Sequence, residues 1–86
     1  MKIIVRKPTA AEIKTAQAWP VWTKEPSNFK WHYDERETCL IFEGDVLVKA
    51  GSETVNFKAG DLVIFPEGLD CEWHIAGAVK KHYNFG

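Results

Sequence analysis

The stretch Gly60-Asp61-Leu62-Val63-Ile64-Phe65-Pro66-Glu67-Gly68-Leu69-Asp70-Cys71 decides how the rest of the chain reads. Four apolar residues, two of them β-branched, lie between a Gly-Asp turn and a Pro-Glu-Gly turn, which is the pattern of a short buried strand with its own punctuation. The same alternation of turn and strand recurs on both sides. Turn residues stand at Glu43-Gly44-Asp45, Ala50-Gly51-Ser52 and Ala76-Gly77. They bound expected strands at Cys39–Phe42, Val46–Lys49, Thr54–Phe57, Leu62–Phe65, Glu72–Ile75 and Val79–Tyr83. Strands this short and this regularly spaced predict an all-β barrel or sandwich, whose closure removes exposed edges.

Upstream of residue 29 the character changes. Residues 2–7 read as a strand around Ile3, Ile4 and Val5, ended by Pro8. Thr9-Ala-Ala-Glu12 is a capping box, and the good helix formers that follow predict one short helix reaching toward Ala18. The segment from Trp19-Pro20 through Trp22 and Pro26 to Asn28 lacks periodicity and reads as an ordered loop packed on the domain, its tryptophans serving packing or facing a ligand. The whole chain, 1–86, is read as one domain: strand, helix and packed loop over 1–28, and barrel over 29–86.

Composition narrows the function classes. An 86-residue chain supports one core, and eleven aromatic residues supply the bulk that a small core needs. A formal net charge of −1 gives no general attraction to nucleic acid or to an anionic membrane. No apolar run is long enough to cross a bilayer, and the start MKIIVRK lacks the features of a signal peptide, so a cytoplasmic location is the expectation. Cys39 and Cys71 are read as reduced thiols, with a single bridge between them left open.

Two segments have the spacing of the cupins, small β-barrels of the jelly-roll type. In the first, Glu37 and Gly44 stand at the family's separation, while Trp31 and Tyr33 fill the places of its two histidines. In the second, Gly60, Pro66 and Gly68 match and Cys71 replaces the final histidine. The chain resembles most closely the small single-domain cupins related to the ureidoglycine aminohydrolase cupin domain, through the segments 31–39, 43–44, 58–68 and 81–84. This resemblance implies a jelly-roll barrel with one short N-terminal helix, pairing of barrels into a homodimer, and a ureido or amino compound as substrate.

The resemblance also implies a divalent metal held by two histidines, a glutamate and a third histidine. Carried over position by position, that set becomes Trp31, Tyr33, Glu37 and Cys71. Indole nitrogen has no useful lone pair and a phenol must first lose its proton, so only Glu37 and Cys71 remain as ligands should an ion be present. No cofactor is therefore expected to be held firmly. His32 and His74 fall out of phase with the expected inner faces, and His82 is assignable to neither.

The expected interior has Trp31, Tyr33, Trp73 and Phe65 as walls and Glu37, Cys39 and Cys71 as its polar or reactive members. Glu37, Tyr33 and Cys71 are the candidate catalytic groups; Trp31, Tyr33, Glu37, Cys39, Cys71 and Trp73 are the candidate ligand contacts. Desolvation would suit Glu37 to acid or base work, or it could simply accept hydrogen bonds that stabilise the fold. A nucleophilic Cys71 would need a neighbouring base or positive charge, and none is assignable from spacing. A small-molecule pocket and a filled barrel serving as a structural or interaction module both fit these residues.

Overall fold

The structure, a computed structural model, describes all residues 1–86. Its elements in chain order are β1 (Ile4–Arg6), α1 (Ala10–Ala16), β2 (Val21–Lys24), β3 (Ser27–His32), β4 (Glu37–Ala50), β5 (Glu53–Lys58), β6 (Leu62–Phe65) and β7 (Asp70–Phe85). The capping box closes as expected, with Glu12 N donating to Thr9 Oγ1 at 3.1 Å and Thr9 N to Glu12 Oε1 at 2.9 Å. The helix ends at Ala16, before the expected Ala18.

The strand path is β1-β6-β4-β7-β2, all antiparallel, with β3 added to β7 and β5 to β4. β4 and β7 run together through both layers. Their Glu37–Ile41 and Lys81–Phe85 ends share a layer with β6, β1 and β2; their Asp45–Lys49 and Glu72–Gly77 ends share the other with β5 and β3. The two layers fold over one another as a jelly roll. β1 and β2 end the path, so packing between layers, rather than a continuous ring of hydrogen bonds, closes the barrel.

Two sequence expectations change here. The segment 19–28 is not a loop, because Val21–Lys24 pairs with β7 in register Trp22↔Lys81, and β3 already begins at Ser27. Pro20 and Pro26 flank the strands rather than interrupt them, which is where a residue without an N–H is tolerated. The expected pair Cys39–Phe42 and Val46–Lys49 is one strand, β4, and Glu72–Ile75 and Val79–Tyr83 are both parts of β7.

Glu43-Gly44-Asp45 looks like a turn because a bulge needs the same residue types. Gly44 has φ 119°, and the β4–β7 register shifts around it. The shift changes the phase: Glu37, Cys39 and Ile41 are buried before the bulge, and Val46 and Val48 after it. Without that change, the second half of β4 would turn its apolar face to water.

The core draws on both layers, with Phe65 stacked on Tyr33 at 4.6 Å and met by Phe57 at 6.0 Å and Trp73 at 5.7 Å between ring centres. A side chain at Gly44 would place Cβ 2.8 Å from Val79 Cα and force an unfavourable positive φ. Gly44→Ala is therefore expected to cost about 2 kcal/mol or more in a urea titration. An unchanged midpoint would mean that the bulge does not set the register.

Candidate functional site

A cavity of about 190 Å³ opens at one end of the barrel, and seven of its nine lining residues are hydrophobic. β3 and the residue just beyond it supply Phe29, Trp31 and Tyr33; β2 supplies Trp22; β7 supplies Trp73, Lys81, Tyr83 and Phe85. Glu37, the first residue of β4, completes it.

The 66–68 turn positions Tyr33. Gly68 N donates to Tyr33 O at 2.7 Å and Tyr33 N to Leu69 O at 2.9 Å, so the Pro-Glu-Gly motif clamps the end of β3. This fixes the phenol against Phe65.

The polar floor is an ion pair. Lys81 Nζ donates to Glu37 Oε2 at 2.6 Å, and the two residues are 5% and 3% exposed. The ammonium also lies over two indole rings, 4.8 Å from the centre of Trp22 and 4.9 Å from that of Trp73. Those rings meet edge to face at 5.9 Å. Each such cation–ring contact contributes more when the cation is desolvated, and Lys81 is buried. Removing one partner of an enclosed pair leaves an uncompensated charge, at a typical cost of about 3–5 kcal/mol.

Trp31, Tyr33, Glu37 and Trp73 thus line one space, with Trp31 at the rim and 49% exposed. Phe65, Cys39 and Cys71 do not line it. Phe65 lies behind Tyr33 in the core. Cys39 points its thiol to Val63 O at 3.6 Å and belongs to the packed interior, as does Cys71. Both thiols are free.

All three histidines stand outside the cavity: His32 Nδ1 is 2.7 Å from Asp70, His74 Nδ1 is 3.1 Å from Asn28, and His82 Nδ1 is 3.1 Å from Trp19 O.

Lys81 is the cavity group that sequence reasoning missed, together with the wall residues Phe29, Tyr83 and Phe85, while Trp22 reads from the sequence as either packing or facing a ligand. Lys81 shares a strand face with Val79 and Tyr83, so alternation could have placed it inward, but a lysine flanked by Lys80 and His82 reads as surface. The two prolines around Trp22 hide the strand that places it.

A family model for the EutQ-like cupin domain matches residues 12–83. The chain belongs to that family. Among solved structures, a DUF861 family protein from Thermotoga maritima superposes with a TM-score of 0.94 at 42% identity, covering 99% of this chain and 100% of its own. A putative ethanolamine utilization protein Q from Salmonella typhimurium gives 0.69 at 26% identity over 76% of this chain. This cupin spans 53% of that longer protein. None of the curated proteins matches the chain.

The resemblance to metal-binding cupins implies a divalent ion held from positions 31, 33, 37 and 71, and the residues of this cupin do not fit such an ion. Nowhere do three or more His, Cys, Asp or Glu side chains come together as a ligand set. The carboxylate that would serve is already bonded to Lys81. Burial, followed by the nearby Glu37 charge, pushes the Tyr33 phenol upward and away from the phenolate a metal would need.

The thiols are quiet for the same reason. Burial, only partly opposed by the Lys81 charge, pushes Cys39 up to about 12, and burial pushes Cys71 up to about 11. Cys71 therefore stays protonated at neutral pH, which removes the basis for a nucleophilic role. The enclosed Nε1 of Trp73 finds no acceptor in hydrogen-bonding geometry, although the indole opposes part of the upward shift of both Tyr33 and Cys71.

These shifts have a consequence for stability. Each thiol is more readily ionised in the unfolded chain, near 9.0, than in the folded one. Their contribution is thus fully present below pH ~9 and is lost as pH rises toward the folded values of about 11 and 12. Melting followed by circular dichroism should fall progressively above pH ~9, and less steeply in a Cys39→Ala variant. A melting temperature level to pH ~11 would contradict the burial of the thiols.

Proposed function

We propose that this cupin is a metal-independent binding module for a small planar metabolite carrying an amide or ureido group. The observation that carries the reading is the Glu37–Lys81 pair at the floor of an aromatic-walled cavity. A carboxylate offers about four acceptor positions and Lys81 uses one; an ammonium has three donors and Glu37 takes one. An acceptor and a donor side by side complement the N–H and C=O of an amide edge. Trp31 and Tyr33 meet edge to face, 6.5 Å between ring centres, and the half-exposed Trp31 ring offers a flat surface on which a planar group can stack.

Size argues for a small ligand. The cavity, at about 190 Å³, falls below the ~300–1,000 Å³ typical of drug-sized sites. The resemblance to the ureidoglycine aminohydrolase cupin domain supports the ureido class. The proposal stops at binding, because the donor set offers no place for a metal-activated water and Cys71 remains a thiol.

Methylurea, hydantoin, acetamide, ethanolamine and acetate form a suitable panel for NMR titration, observed at the indole N–H signals. The ureido and amide compounds should move the Trp31 and Trp73 signals saturably, and a ligand at a hundred times its Kd should add about 2.7 kcal/mol of stability. Trp31→Ala, at the exposed rim, should fold normally and bind at least tenfold more weakly. If no ureido or amide compound perturbs these signals at roughly 10 mM, where even about 3 kcal/mol of affinity registers, the barrel is a filled structural module and the proposal fails.

A further inference from the structure

We infer that the Lys81 ammonium is the resident cation of this barrel, built into β7 and occupying with Glu37 the role that a divalent ion plays in metal-binding cupins. Three observations meet at one atom. Nζ is 2.6 Å from Glu37 Oε2, and it lies over both the Trp22 and the Trp73 rings, at 4.8 and 4.9 Å. The residue is enclosed although its type is almost never buried alone.

The positions around it differ from the metal-binding pattern in a way that fits an ammonium. The glutamate persists as Glu37, while the family's histidine places hold Trp31, Tyr33 and Cys71. A carboxylate left in that interior without a cation would be costly to keep charged. An ammonium on a flexible stem answers the charge without needing the three or four lone pairs that a metal demands. The rings that face the ammonium, Trp22 and Trp73, lie outside the histidine places, and a ring face attracts a cation it cannot ligate. Trp22 is placed for this by pairing directly opposite Lys81 across β2 and β7. The inference stands whether or not the pocket takes the ligand proposed above.

The test removes the built-in cation and offers another. In Lys81→Ala, Glu37 loses its partner and the melting temperature should drop by roughly 10 °C or more. Propylammonium should recover much of that loss saturably, whereas the neutral propanol should not. The double variant Glu37→Gln/Lys81→Met removes both charges, should melt near the wild type, and should not respond to propylammonium. Zinc or manganese at stoichiometric concentration should leave the wild-type melting temperature unchanged. A Lys81→Ala protein as stable as the wild type, recovery by propanol equal to that by propylammonium, or a rise in wild-type melting with either metal would overturn the inference. Should Lys81→Ala not fold, the double variant decides: folding supports the countercharge role, and failure to fold overturns it.

Discussion

The interaction on which this molecule turns is a single enclosed ion pair, Lys81 Nζ to Glu37 Oε2 at 2.6 Å. Charges are expensive to take out of water, and an isolated pair of this kind adds little stability over well-packed apolar residues. What distinguishes this one is the pair of indole faces on the ammonium, which offset part of the desolvation that the carboxylate alone could not. The pair therefore defines a polar floor in a barrel whose other walls are almost wholly aromatic, and it determines which chemistry the cavity can offer.

Backbone architecture brings those groups together. β4 and β7 pair through both layers, and the bulge at Gly44 lets one strand serve both without exposing its apolar face. Glu37 enters from the start of β4 and Lys81 from the far half of β7, on the same side of the sheet. The turn at Pro66–Gly68 clamps Tyr33 through two backbone hydrogen bonds, 2.7 and 2.9 Å long. Residues that read as motif punctuation thus act as positioning devices for the cavity wall.

Much of this is legible in the sequence, and the exceptions have physical causes. Strand alternation and glycine-marked reversals identify the jelly roll, and the Thr9–Glu12 capping box identifies the helix. Glu43-Gly44-Asp45 misleads because a bulge and a turn require the same backbone freedom. The 19–28 segment misleads because a short strand docked on a partner's edge carries too few residues for periodicity to show. Tyr33, Glu37 and Trp73 fall where alternation puts them, in the cavity wall. Cys39 and Cys71 are buried as alternation expects but do not line the cavity, since alternation specifies a side of the sheet and not which neighbours a side chain meets there. Lys81 escapes notice because its burial depends on partners supplied by β2, β4 and β7 together, which no local window contains.

The most direct test is the NMR signal of the lysine side-chain ammonium groups. An ammonium held between Glu37, Trp22 and Trp73 should appear as one slowly exchanging Nζ resonance, its protons shifted upfield by the two ring currents, and it should vanish on Lys81→Met. A spectrum in which every lysine ammonium exchanges rapidly with water, with none shielded by the indoles, would contradict the account.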